Sequence, residues 1–456
     1  MSEIAPERMQ HFARMRDTAR EIFTSALKNA SIENAFARSV HCERRVLRIG
    51  DDLHDLDSYN RIFVVSIGKA AHTMAAALEV QFGSNLEGIV ASSVEPARQV
   101  RGFRYFRGGH PTPTAESIQA AGAILKSLKS LNSASLAIFM ISGGGSSIVE
   151  KPVATMKDSL NDDEISLPDL AATYRALVHS GAPIAEINAI RKHLSAVKGG
   201  RLAQAAYPAQ QVSILVSDVP DNTPDALASG PTMPDSTSIE DCERIAAKYN
   251  LIEQLPNSVA DLFRQHALDE TPKSDDPAFV RARWWTVLSN KVAIDEAVAA
   301  ATRAGFAVEV DNSCDDWPYD KAAAYLLNRL RELRSRERPS HETSRVCLIS
   351  GGEVTVTVRN GGIGGRNQQF ALACGEQIAG ENITVLSAGT DGIDGNSPAA
   401  GAIVDGSTLN RAGGAESVRH ALSSFNTYPL FDTLGDALIT GPTGNNLRDL
   451  RILLAY

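Results

Sequence analysis

The sequence predicts an α/β protein of two domains, and three observations predict it. From Arg61 onward short apolar runs alternate with helical periodicity, the pattern of a mostly parallel sheet with helices on both faces. The apolar runs empty into loops where glycines stand in pairs and triplets, and a polar, proline-punctuated stretch at 267–281 divides the chain. At 456 residues the chain can bury more than one core. These features place a first domain at 1–265, a linker at 266–283 and a second domain at 284–435.

In the first domain 62–65 reads as a buried strand, Ser66-Ile67-Gly68-Lys69 as a turn and 70–80 as a helix. A second strand is expected at 88–92. Thr112, Pro113 and Glu116 then supply a cap, a first helical position and an acidic first turn for a helix reaching about Leu131. The strand 136–141 opens directly into Ser142-Gly143-Gly144-Gly145-Ser146-Ser147. A helix pair at 168–180 and 183–195 is broken by Gly181, and the strand 212–216 ends in Ser217-Asp218. Residues 236–265 are helical in pattern. In the second domain strands are expected at 284–289, 307–310, 346–350, 354–358, 383–387 and 450–454, and helices at 291–304 and 321–336. The Trp284-Trp285 pair is expected to anchor that domain's core.

Composition excludes several classes. Hydrophobic residues make up 43% and charged residues 22%, which rules out disordered, collagenous and coiled-coil chains. A net charge of −9 disfavours a phosphate-backbone binder, so no nucleic acid partner is expected. The 5 cysteines are widely spaced with no C-x-x-C pair, which argues against a disulfide framework or zinc site and for a reducing, cytoplasmic setting. No cleavable leader or membrane-length apolar run is present, so no membrane association is expected.

Glycine, at 34 of 456, is near its usual share of about 7%, but 15 of the 34 sit in runs. Such runs occur where backbone must approach something closely. The loop 142–147 has no bulky side chain and follows a strand, which suits an anion; it is not a Walker A loop. Lys69, just beyond a strand, can reach a phosphate or a developing negative oxygen, and Gly364-Gly365-Arg366-Asn367 sets a guanidinium fork in a glycine loop. Asp218 and Asp391, beyond strands, are placed to hold Mg²⁺ or accept a hydroxyl proton, whereas Asp221 and Asp394 serve equally well as turn formers. Asn445 and Asn446 are neutral donors or turn residues. His110 and His193 read as satisfied structural histidines. In an open α/β sheet ligands collect beyond the carboxyl ends of strands, so Lys69, the loop 142–147 and Asp218 are expected in one crevice.

Taken together, Ser66-Ile-Gly-Lys69-Ala, Gly108-Gly-His-Pro-Thr-Pro113, Ile141-Ser-Gly-Gly-Gly-Ser-Ser147, Lys198-Gly-Gly-Arg-Leu202, Ser217-Asp-Val-Pro220, Ala228-Ser-Gly-Pro-Thr232, Ser350-Gly-Gly-Glu353, Gly364-Gly-Arg-Asn-Gln368, Gly389-Thr-Asp-Gly-Ile-Asp-Gly395 and Thr440-Gly-Pro-Thr-Gly-Asn-Asn446 resemble the class II glycerate 2-kinase family. Members carry a MOFRL domain and have sometimes been labelled hydroxypyruvate reductases. The resemblance implies a Rossmann-like α/β/α N-terminal domain and a smaller α/β MOFRL-type C-terminal domain, with the active site in the interdomain cleft. It also suggests that 436–456 returns to complete the first domain. It implies ATP and Mg²⁺ as cofactors, D-glycerate as substrate, and Lys69 and Arg366 as the catalytic cations.

The expectation is therefore in-line transfer of a phosphoryl group from MgATP to the 2-hydroxyl of D-glycerate. Lys69 and Arg366 would flank the group in flight, with Asp218 and Asp391 as metal ligand or base. The loop 142–147, Lys198, Gly364, Gly365, Asn367 and Asn445 would bind substrate or nucleotide. Two alternatives stand beside it: an NAD(P)H-dependent hydroxypyruvate reductase, for which the glycine loops fail the last position of G-x-G-x-x-G, and a non-catalytic binder of small anions. A monomer and a homodimer both remain open.

Overall fold

Ile32–Val287 forms one unit of the chain, and Met1–Ser31 with Leu288–Tyr456 forms the other. The computed structural model describes residues 5–83, 86–153, 165–337, 345–358 and 361–456; Asn360 of the second glycine loop and residues 1–4 lie outside these.

The unit Ile32–Val287 opens with a helix, Ile32–Ser39, and a small antiparallel sheet of β1 (Val40–Glu43), β2 (Val46–Ile49) and β3 (Asp52–Asp55). Its main sheet contains β4 (Arg61–Ile67), β5 (Glu87–Ser92), β6 (Phe103–Arg107), β7 (Ser135–Ser142), β8 (Gln210–Val216) and β9 (Ala282–Leu288), in the order β6-β5-β4-β7-β8-β9. Counted from its own first strand this is 3-2-1-4-5-6, the doubly wound order, and β6 through β8 are parallel neighbours. β7 is buried at every position, which is why it reads as an unbroken apolar run. Alternate residues Phe63, Val65 and Ile67 of β4, with Phe139 and Ile141 of β7, pack against Ala120, Ala121, Ile124 and Leu128 of the helix Ala115–Leu128. That helix starts two residues later than Thr112 suggested: Thr114 is its N-cap, and its backbone N–H donates to Ser117 Oγ at 3.1 Å. The residues read as one helical stretch at 236–265 form two helices, Ile239–Lys248 and Asn257–Arg264, which pack with Leu167–His179 and Ile184–His193.

The expected linker is not one. Thr271 and Phe279 are buried, Arg201 Nη2 donates to the Asp269 carbonyl at 3.0 Å, and β9 then takes the edge of the sheet beside β8. Trp284 Nε1 donates to the Thr232 carbonyl and Trp285 Nε1 to Asp52, so both tryptophans anchor the first unit rather than the second core. The unit boundary falls after Val287 instead of at 265. Burying these aromatic and apolar side chains outweighs the polar composition that suggested a linker.

The other unit carries a mixed sheet of β10 (Ala307–Val310), β11 (Val346–Gly352), β12 (Ile383–Gly389), β13 (Gly401–Asp405), β14 (Ala437–Leu438) and β15 (Asp449–Ala455), in the order β10-β11-β15-β12-β13-β14. β15 lies at its centre, antiparallel to both β11 and β12 and buried throughout. The tail 436–456 therefore completes the second sheet and not the first. An apolar run of Leu450, Ile452, Leu453 and Leu454 needs two strand neighbours and two covered faces, and it finds both here. The expected strand at 354–358 is reduced to a single bridge, Thr355 with Pro318. On one face the helix Tyr319–Glu337 packs with the helix Arg366–Gln377 over β11 and β12. On the other face the N-terminal helix Pro6–Asn29 packs with Asn290–Arg303, burying Met15, Ala19, Ile22, Phe23 and Ala26 against Leu450 and Ile452. Among the described residues no helix is long and apolar enough to cross a membrane.

Candidate active site

In the doubly wound sheet the chain switches direction between β4 and β7, and the loops at their carboxyl ends are where such sheets take ligands. Lys69 follows β4 and the loop 142–147 follows β7. The two loops are tied together: the Lys69 N–H donates to the Gly143 carbonyl at 2.9 Å and the Ala70 N–H to Ser142 Oγ at 3.1 Å. Gly143 lies against the Asp218 carboxylate beyond β8, and a Cβ added there would come within 2.0 Å of Oδ2. Gly144, at φ +80°, faces the Lys69 stem and the His110 ring. Lys69, the glycine loop and Asp218 are thus brought into one crevice, with a fourth member, His110, that sequence reasoning set aside as structural. Burial, and then the charge of Lys69, hold the His110 ring below its usual pKa, so it is neutral there.

The Lys69 side chain is exposed and makes no hydrogen bond among the described residues. The buried lysines among the described residues of this unit are spent. Lys198, expected to bind ligand, is 1% exposed and paired with fully buried Glu150, which also accepts from Tyr174 Oη and from Ser195 Oγ at 2.6 Å. Lys192 bridges Asp225 and Asp235 at 3.1 Å to each. Lys198 is therefore removed from the site: its charge neutralises a buried carboxylate. The hydroxyls of the loop are also turned inward. Ser142 Oγ donates to the Ile67 carbonyl, Ser146 Oγ pairs with Ser229 Oγ at 3.0 Å, and Ser147 Oγ donates to the Gly144 carbonyl. These serines hold the loop's shape.

In the other unit the glycine loop ends at Gly365 and the helix Arg366–Gln377 begins, with Arg366 at its first position. Gly365 packs on Asp394, where a Cβ would meet the carboxyl carbon at 2.2 Å. Asp394, 2% exposed, accepts the N–H groups of Asn367 and Gln368 at 3.0 and 2.9 Å, so the turn former is the carboxylate that caps this helix. Burial raises its pKa to about 6. Arg366 is held in a fork by Asp449, at 2.6 Å from Nε to Oδ2 and 3.0 Å from Nη2 to Oδ1, and by Glu353 at 2.8 Å. Burial opposes the guanidinium's charge, yet the bonds and charge of Asp449 raise its pKa further. Asp449 was not legible as a site residue: it opens a strand, and only the central place of β15 brings it under Arg366.

Arg366, Gly364, Gly365, Asp391 and Asp394 line a pocket of about 480 Å³. Asp391 is partly exposed in it, one carboxylate oxygen accepting the Ile393 N–H at 3.1 Å. Asn367 and Asn445, both expected to bind ligand, are used internally. Asn367 is 1% exposed and accepts from Ser387 Oγ at 2.6 Å, and Asn445 Nδ2 donates to the Ala30 carbonyl at 2.6 Å. The loop bearing Asn445 wraps Asp391 instead, through the Thr443 N–H to the Asp391 carbonyl. His193, as expected, is buried, bonded to Ala189 and Glu270. Among the described residues no group of three or more His, Cys, Asp or Glu side chains could hold a metal by itself.

Comparison with known proteins adds the family. Residues 18–264 match a domain of unknown function, DUF4147, and residues 346–449 match the MOFRL family. A D-glycerate 2-kinase of Thermotoga maritima is 35% identical over 399 residues, covering 86% of this chain and 90% of that protein. The chain belongs to the glycerate kinase family. The crystal structure of a glycerate kinase from Thermotoga maritima superposes with a TM-score of 0.81 at 32% identity, covering 97% of this chain and 100% of that one. A protein of Agrobacterium vitis, 35% identical over 86% of this chain and 87% of its own length, carries a provisional name, hydroxypyruvate reductase. The two-domain α/β architecture expected from the sequence is that of this family, with the boundaries and tail revised as above.

Proposed function

We propose that this glycerate kinase family member transfers the γ-phosphoryl group of MgATP to the 2-hydroxyl of D-glycerate, giving 2-phosphoglycerate and ADP. The observation that carries the reading is Lys69, a cation left unspent at the switch point while Lys192 and Lys198 of the same unit are buried in ion pairs. Phosphoryl transfer asks for placed positive charge and excluded water more than for covalent chemistry. Lys69 and Arg366 each supply such charge. The Lys69 ammonium, exposed on a four-carbon stem, can follow an oxygen as its charge grows, whereas Arg366 is set by Asp449 and Glu353. The crevice of Lys69, Gly144 and neutral His110 suits a small hydroxy acid, with Asp218 as proton acceptor for the attacking hydroxyl.

Mg²⁺ is bound in kinases by one or two carboxylates together with the substrate phosphates, so a preformed protein cage is not required. Asp391, partly exposed beside Arg366, fits that use. Bound there, Mg²⁺ would neutralise phosphate charge.

A reductase would need a dinucleotide fingerprint in the first βα turn of the doubly wound sheet, with an acidic residue ending the second strand. That turn is Gly68-Lys69-Ala70-Ala71, and β5 ends at Ser92, followed by Ser93.

The test is ADP formation from MgATP and D-glycerate, beside NADH oxidation with hydroxypyruvate. Lys69→Ala and Arg366→Ala should each stay folded and lose at least about a hundredfold in kcat. NADH oxidation without ADP formation, or near wild-type turnover in either variant, would overturn the reading.

A further inference from the structure

The pocket beside Arg366 has apolar lining that phosphate chemistry leaves unused. Beside the glycines and carboxylates, the lining also includes Val356, Val358, Ile393 and Phe425, four side chains with no hydrogen-bonding group. Val358 is 62% exposed and Ile393 50%, among the large hydrophobics this protein leaves open to water. Asn396, also in the lining, commits its Oδ1 to the Gly364 N–H at 2.9 Å and one Nδ2 hydrogen to the Gly362 carbonyl at 3.0 Å. The lining thus combines a guanidinium and carboxylates with an apolar set of side chains.

D-glycerate has an oxygen on every carbon and no apolar face, so it would leave these side chains wetted, and it is far smaller than 480 Å³. A nucleotide has both parts: phosphates for a guanidinium and a flat heteroaromatic base for aliphatic and aromatic side chains. We infer that Val356, Val358, Ile393 and Phe425 seat the base of the nucleotide whose phosphates Arg366 faces. This rests on the kinase reading and deepens it, because it assigns the nucleotide to the unit Leu288–Tyr456 and leaves the Lys69 crevice of the other unit to the hydroxy acid.

Val358 and Ile393 are at least half exposed, so Val358→Asp and Ile393→Ser perturb the apolar lining without opening a core. Both should raise the KM for MgATP at least about tenfold while the KM for D-glycerate stays within about twofold. Calorimetric titration of the full chain with MgADP should show the same loss of affinity, with no turnover needed. Val178→Ser, at a similarly exposed valine on the helix Leu167–His179, should change neither constant. An increased KM for D-glycerate with MgADP affinity unchanged would place the acid in this pocket and overturn the inference, as would wild-type constants in both variants. Failure of the kinase reading is separable: the wild type would then yield no ADP from D-glycerate, whatever MgADP binding showed.

Discussion

Asp449→Asn should cost both stability and turnover, and the two losses report different things. Asp449 is fully buried at the start of the central strand β15, where its carboxylate accepts from Arg366 at 2.6 and 3.0 Å and lies 3.5 Å from Arg451 Nη2. Arg451 is itself fully buried, donating to the Gly351 and Gly352 carbonyls over the Phe370 ring. Asparagine keeps the shape but removes the charge and turns an amide N–H₂ toward two guanidinium groups. Removing one partner of a buried pair costs about 3–5 kcal/mol. The Arg366 side chain is 35% exposed and retains Glu353, so the lower end, about 3 kcal/mol, is expected. In a unit of this size that lowers Tm by roughly 6–12 °C. Freed from its fork, Arg366 should swing off position, and misplacement by about 1 Å costs on the order of a hundredfold in kcat. The checks are thermal unfolding and ADP release measured well below the lowered Tm. Wild-type kcat in a destabilised but folded variant would refute the claim that Asp449 positions Arg366, and an unchanged Tm would refute the buried-pair argument.

The other predictions follow from the same geometry. Asp394 has a folded pKa of about 6 against 3.8 unfolded, so the native state binds the proton more tightly and stability falls as pH rises between these values. Relative to Asp394→Asn, which cannot titrate there, the wild type should lose roughly 2 kcal/mol between pH 4 and pH 7, read from paired denaturation curves. Glu150→Gln strands the buried Lys198 and should destabilise by about 3–5 kcal/mol, whereas Lys198→Met together with Glu150→Gln should recover much of that loss. If Lys198 holds structure and not ligand, the double variant should keep both KM values within about twofold once folded.

Local pattern carried much of this protein. The apolar runs at β4, β7, β8, β11 and β12, and the glycine-rich turns that follow several of them, were legible because a strand buried on both faces has to be apolar throughout and a tight turn beyond it has to be small. The placement of Lys69, Asp218, Arg366 and Asp391 just past buried strands or a glycine loop, where solvent begins, was legible for the same reason.

What sequence could not decide is which segments meet. The tail 449–455 reads equally well as a strand of either sheet, and only pairing with β11 and β12 places it; that pairing then brings Asp449 to Arg366. The stretch 266–283 looked like a linker because its residues are polar one by one, yet it is held by a few buried anchors and carries the chain into an edge strand. Lys198 looked like Lys69, and the difference between them is a carboxylate 48 positions away in the chain. Periodicity records whether a residue faces water or core. The partner of a buried charge is fixed by tertiary packing, because an unpaired buried charge is too costly to leave and its neutraliser can come from anywhere in the chain.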